Sequence, residues 1–291
     1  MTGPSLRHRL IDRILKWQGY PERFATMVGG SGLKRHPVRA RHRAREKAFD
    51  GFPFHWFEPP GERERGIIIA LHGGGYIAEA QPPHWDSYAR LAKLTGRRVY
   101  APSYPLAPEH APETIRDWTR RFIAHVQDHL PGEPLVLTGD SAGANLTLLM
   151  VADGVEAERL LLWSPWIDLD LSDADTRAMD GKCRLLSHGS IDTIADAYIQ
   201  GHSRTDGRWS PIHAERESLP PTLVLSGDHD LLHPSISRWV ALRQGQGEPV
   251  EIEVADGMFH DWVILPTPEG RRAISRSADF LTAGFATSAT P

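Results

Sequence analysis

A serine flanked by glycines stands where two differently patterned stretches meet. Residues 135–137 are apolar and residues 144–152 carry a helical pattern, so Gly139-Asp140-Ser141-Ala142-Gly143 reads as a strand-to-helix turn. Such an elbow strains the serine backbone, and a Cβ at Gly139 or Gly143 would crowd it. Ser141 then projects from the carboxyl end of the strand. The free amides of the following helix face an oxygen that turns negative during reaction, which is the setting of a nucleophile. The plainer alternative is a serine that caps a helix.

A hydroxyl nucleophile needs a base, and the base needs a group that holds its tautomer. Among 15 histidines, His260 follows the apolar run 250–254 by a short loop containing Gly257. For the acid, the loop after the apolar run 222–225 offers Asp228 and Asp230. Asp230 is preferred because the acid must reach past the strand end; Asp261, next to the base in the chain, is expected to point away from it. Upstream, the run 66–71 ends in His72-Gly73-Gly74-Gly75-Tyr76. Successive glycines cost backbone entropy and imply a sharp bend or a close approach. The amides of Gly73 and Gly74, with that of Ala142, can then cradle an oxyanion. A phosphate cradle would want a Lys-Ser or Lys-Thr ending, which the loop lacks. His229 and His233 have metal-pair spacing without a third ligand, so neither a metal nor an organic cofactor is expected.

These groups need a scaffold. With 291 residues, 40% of them apolar, the chain can bury one α/β core with a small lid. Apolar runs at 66–71, 98–101, 135–137, 159–163, 222–225 and 250–254 alternate with helix-like segments such as 88–94, 113–130 and 235–244, and 52–57 reads as a further strand. That rhythm predicts a mostly parallel central sheet flanked by helices. It lapses from 166 to 214, where 187–199 has its own helical pattern, so an insertion over the carboxyl edge of the sheet is expected at about 170–210. At the start, Leu6, Leu10, Ile14 and Trp17 share one face of an amphipathic helix, and that face is expected to dock on the protein. Residues 1–50 are thus read as N-terminal cap helices and a basic connector, and 51–291 as the catalytic domain.

A net charge of −4 gives no reason to expect nucleic acid, and the basic segment 34–47 reads as a solvated connector. The single cysteine, Cys183, excludes an internal disulfide. With no signal-peptide pattern and no bilayer-length apolar stretch, a cytoplasmic protein without stable membrane insertion is expected. An exposed edge strand leaves room for a homodimer.

Taken together, the chain resembles the hormone-sensitive-lipase-like esterases of the α/β-hydrolase fold. The resemblance runs from about Phe52 to Leu281. Beyond the two motifs above, it rests on Tyr104-Pro105-Leu106-Ala107-Pro108-Glu109-His110-Ala111-Pro112, Ser164-Pro165-Trp166-Ile167-Asp168-Leu169 and Gly257-Met258-Phe259-His260. It implies a small-molecule ester substrate of small to medium acyl length, Ser141 as nucleophile, Asp230 as orienting acid, His260 as general base and acid, and the Gly73, Gly74 and Ala142 amides as oxyanion hole. It also implies a cap built from the N-terminal helices and the insertion after the sixth strand. Tyr76, Trp85, Trp166 and Trp262 are the expected pocket aromatics. His233, Ala144 and the pair Asp261-Trp262 depart from the family pattern, and each bears on pocket shape. Two rivals stand beside the esterase: an amidase such as an arylformamidase on the same triad, and a non-catalytic ligand receptor on the same fold.

Overall fold

The structure is a computed structural model that describes residues 3–28, 36–38, 42, 44–61, 63–214 and 218–283. The basic segment lies partly outside these residues, as does the polar tail from residue 284 onward. In chain order the strands are β1 (Arg45–Phe49), β2 (Phe52–Phe57), β3 (Ile67–Leu71), β4 (Arg98–Pro102), β5 (Leu135–Asp140), β6 (Arg159–Trp163), β7 (Thr222–Gly227) and β8 (Val250–Ala255). They form an eight-stranded sheet in the order β1-β2-β4-β3-β5-β6-β7-β8. β2 runs antiparallel to β1 and β4, and the remaining pairs are parallel.

The apolar runs are continuous because the central strands are covered on both faces. Along β3, Ile67, Ile69 and Leu71 enter one core while Ile68 and Ala70 enter the other, the two-residue period of a strand. The first core receives α4 (Pro112–His129) through Trp118 and Phe122, α5 (Ala142–Ala152) through Leu146 and Leu149, and α8 (His233–Gly245) through Trp239. The second receives α3 (Pro82–Thr95) through Trp85 and Tyr88 and α9 (Pro268–Thr282) through Ile274 and Phe280. α5 starts directly behind β5 and is buried along nearly its whole length, which fixes the elbow between them.

β1 was not expected: its residues fall in the stretch read as connector. It forms a hairpin with β2 through Asp50 and Gly51, both at positive φ, with Phe49 opposite Phe52. Its sequence, Arg45-Glu46-Lys47-Ala48-Phe49, lacks apolar alternation because an edge strand exposed over most of its length has little apolar surface to bury.

The N-terminal helices α1 (Leu6–Gln18) and α2 (Tyr20–Ala25), with the insertion helices α6 (Ala174–Arg177) and α7 (His188–Ile199), lie at the carboxyl edge of the sheet. Ser187 caps α7, its hydroxyl accepting from the Ser190 amide. α1 docks by the face opposite to the one expected. His8 is buried against Phe259, Ile11 and Leu15 face the interior, and Leu6, Leu10, Ile14 and Trp17 point outward. Helical periodicity finds both stripes, but here each is apolar, and the pattern does not say which one the fold takes.

Candidate active site

At the end of β5 the chain turns sharply. Ser141 has φ 51° and ψ −118°, a left-handed conformation that a side chain rarely adopts. Backbone bonds hold it there: the Ser141 amide donates to Trp163 O (2.9 Å), and its carbonyl accepts from the amides of Asn145 and Trp166 (both 3.1 Å). The flanking glycines have no room for a side chain. A Cβ on Gly143 would stand 2.0 Å from the carbonyl oxygen of Leu71, and one on Gly139 would stand 2.4 Å from the backbone of Gly143. Small residues are therefore required by contact with β3 as well as by the turn itself.

Ser141, His260 and Asp230 come together from three loops at the strand ends. His260 Nε2 lies 2.8 Å from Ser141 Oγ, and His260 Nδ1 lies 3.0 Å from each carboxylate oxygen of Asp230. Asp230 is fully buried and also accepts from the Leu232 amide (3.0 Å), so its orientation is locked. Asp228 goes elsewhere: its carboxylate accepts from the Gly257 amide (2.7 Å) and staples the loop after β7 to the loop carrying His260. The same two loops meet where a Cβ on Gly227 would stand 2.0 Å from Met258 O.

Burial alone would lower the His260 imidazole, but the carboxylates of Asp230, Asp261 and Asp140 outweigh it and raise its pKa above the ordinary 6.5. Asp261 contributes by position. It lies in the left-handed region (φ 55°), and its Oδ2 stands 3.4 Å from His260 Nε2, on the nitrogen that faces Ser141. Sequence adjacency suggested that the two side chains diverge; the left-handed backbone turns Asp261 back. Burial raises its carboxyl pKa, and its Oδ1 has no hydrogen-bond partner among the described residues.

The glycine loop differs from expectation in one amide. Gly73 N–H does not face the site but donates to Asp140 Oδ2 (2.9 Å). Asp140 is a fully buried carboxylate in need of donors, and His84 Nε2 (3.0 Å) supplies the other. Asp140 thus ties the glycine loop to the elbow. Gly74 and Gly75 line the cavity beside Ser141, and among the described residues no acceptor takes the Gly74, Gly75 or Ala142 amide. Behind the loop, His72 stacks on Tyr104 (4.3 Å), and burial followed by the neighbouring His84 pushes its pKa down to about 4.

The cavity in front of Ser141 measures about 230 Å³. Its walls are Ile11, Leu15 and Phe24 of α1 and α2, Leu186 and Ile191 of the insertion, and Ile264 beyond His260. Glu79, Gln81, His84 and Asp261 give it one polar side. None of the four expected aromatics lines it. Tyr76 turns inward, donating to Asn145 Oδ1 (2.6 Å) and stacking on Tyr198 at 3.8 Å, while Trp85 packs against Phe57 and Tyr88. Trp166 is buried in the first core, and Trp262 packs in the second, at the opposite face of the sheet. These four bury their large surfaces in the layers beside the sheet instead. The apolar lining comes from Ile11, Leu15, Tyr20 and Phe24 of the N-terminal helices and from Leu186 and Ile191 of the insertion. Among the described residues no group of acidic, histidine or cysteine side chains is placed to hold a metal. His233 Nδ1 pairs with Ser226 Oγ (3.0 Å).

The α/β-hydrolase fold family matches residues 68–264, most of the chain, from β3 through the loop that carries His260. The chain belongs to this family. As an α/β hydrolase it is 28% identical to a carboxylesterase of Mycobacterium tuberculosis (NlhH), over 95% of this chain and 97% of that one. It is also 28% identical to an acetyl-hydrolase of Streptomyces hygroscopicus, over 76% and 77%. A crystal structure of an esterase from the bacterial hormone-sensitive lipase family superposes with a TM-score of 0.82 at 24% identity, covering 97% of this chain and 99% of that one. These matches accord with the resemblance drawn from the motifs. No helix among the described residues is long and apolar enough to cross a membrane.

Proposed function

We propose that Ser141, His260 and Asp230 serve this hydrolase as nucleophile, general base and orienting acid. The chain is an ester hydrolase. The observation that carries the assignment of roles is the unbroken line from Ser141 Oγ through His260 (2.8 Å) to Asp230 (3.0 Å), opening onto an apolar cavity. His260 Nε2 takes the Ser141 proton as Oγ attacks the ester carbonyl, and Asp230 stabilises the imidazolium through Nδ1–H. The negative oxygen of the tetrahedral intermediate is held by the amides of Ala142 and Gly74, with Gly75 in the part expected of Gly73, whose amide is already committed to Asp140. The C–O bond then breaks, His260 returns the proton to the departing alcohol, and water repeats the steps on the acyl-enzyme. Small to medium acyl groups fit a cavity of about 230 Å³. A cytoplasmic location and a homodimer through an exposed sheet edge belong to the same proposal, β8 being the edge strand opposite β1, with Val254 turned outward.

A p-nitrophenyl ester series from acetate to laurate tests the substrate class. The expected profile has its highest kcat/KM among the short to medium esters and falls by at least about tenfold at laurate, because a dodecanoyl chain overfills the cavity. Stoichiometric labelling of Ser141 by a fluorophosphonate without turnover of any ester would move the assignment to amides, which formanilide hydrolysis would then test.

Asp261 leads to a second expectation, on pH. kcat/KM requires neutral His260, whose pKa is raised above 6.5, so activity should climb with pH through a midpoint above that value. Asp261→Asn removes one of the carboxylates that raise it. The midpoint should therefore move down, by about one pH unit. An unchanged midpoint would mean that Asp261 carries no charge felt by the base.

A further inference from the structure

α1 has two apolar faces and the protein uses only one. Its inner side is fully engaged. The Ser5 amide and hydroxyl bond to Glu269 (2.7 and 2.9 Å), Asp12 pairs with Arg184 (2.8 Å), His8 packs on Phe259, and Ile11 and Leu15 wall the cavity. With that side fixed, Leu6, Leu10, Ile14 and Trp17 are 83, 58, 44 and 87% exposed. These four are more than half of the large hydrophobic side chains that stand exposed among the described residues, and they form one stripe on one helix. At 100° per residue the stripe is flanked by Arg9, Arg13 and Lys16 on one side and Arg7 on the other. All four cations are exposed, and none has an acidic partner among the described residues.

We propose that this outward face of α1 docks the protein on an anionic phospholipid surface. The charge argues for that occupant. A stripe of Leu, Ile and Trp bordered on both sides by Arg and Lys is the arrangement of a helix lying in the plane of a membrane interface, with its cations at the level of the phosphates. In a protein of net charge −4, such a local cationic surround is set against the overall balance. A second copy of the chain suits the face poorly. Two stripes packed about a twofold axis would bring rows of unpaired guanidinium groups together, and four side chains on one helix fall well short of the ~800 Å² per partner of a stable interface. The binding is peripheral, since the inner face of α1 remains docked on the cap.

Sedimentation of the full chain with vesicles tests this. The expected result is a partition coefficient at least about tenfold higher on mixed phosphatidylcholine–phosphatidylglycerol vesicles than on phosphatidylcholine alone, collapsing at high salt. Leu10→Gln/Trp17→Gln should abolish the binding while turnover of a water-soluble ester stays at the wild-type level, showing that the fold and the cavity are intact. Arg9→Gln/Arg13→Gln should weaken it several-fold and flatten its salt dependence. Absence of wild-type binding to the anionic vesicles would overturn the proposal, as would equal binding by the Leu10/Trp17 variant. A concentration-dependent dimer in analytical ultracentrifugation that this variant loses would overturn it too, in favour of a second copy.

Discussion

Ser141→Ala is expected to lower kcat for p-nitrophenyl butyrate by roughly 10⁶-fold, the scale on which triad nucleophiles act, while the urea unfolding midpoint stays close to wild type. The separation of the two readouts follows from the contacts. Among the described residues the hydroxyl makes one hydrogen bond, to His260, whereas the strained backbone is held by the Ser141 amide and carbonyl through Trp163, Asn145 and Trp166. Alanine keeps all three backbone bonds and the same Cβ in the same left-handed conformation. His260→Ala should cost as much activity but is a less clean probe. It leaves Asp230 a fully buried carboxylate whose remaining partner among the described residues is the Leu232 amide, so its stability should fall as well. Fluorophosphonate labelling gives an independent check: wild type labels and Ser141→Ala does not. Residual ester turnover within about tenfold of wild type would place the nucleophile elsewhere.

How much of this site could be read in advance depends on whether the information is local. Five of the six apolar runs are strands buried nearly throughout, a pattern that announces itself without partners, whereas 250–254 is the largely exposed edge strand β8. The elbow is legible because Gly139 is required by the turn itself, where a Cβ would meet the Gly143 backbone, while Gly143 is required by the close approach of the Leu71 carbonyl. β1 escaped because Arg45, Glu46 and Lys47 at a sheet edge look like a connector. The sequence does not tell the outer face of α1 from the inner one, because Leu6, Leu10, Ile14 and Trp17 form as good a stripe as His8, Ile11 and Leu15. Which glycine amide faces the serine depends on Asp140, 67 residues downstream, which claims Gly73. Likewise Trp85 and Trp262 are no less aromatic for lying on the far face of the sheet; only the three-dimensional placement of the cavity tells a lining residue from a core one. For Asp261, sequence adjacency implies side chains that diverge, a rule that holds for extended or helical backbone and fails at φ 55°.

The choice between the two aspartates after β7 gives the other large effect. Asp230→Asn is expected to reduce kcat by about 10⁴-fold near neutral pH. The amide presents a donor where His260 Nδ1–H needs an acceptor, so the ring is held in the tautomer that carries its proton on Nε2 and cannot accept one from Ser141. The counter-charge that raises the imidazole pKa is lost at the same time, so the small remaining activity should titrate at lower pH than wild type. Asp228→Asn should behave differently. Among the described residues its carboxylate accepts one bond, from the Gly257 amide at 2.7 Å, and the asparagine carbonyl oxygen can accept the same bond. A loss of less than about tenfold in kcat is therefore expected, with any further cost in the thermal midpoint, because this contact positions the loop and not the proton. The two substitutions are isosteric and lie two residues apart on one loop, so general disturbance of that loop would affect both alike. The expected thousandfold gap between them can come only from contact with His260, and the reverse ranking would transfer the orienting role to Asp228.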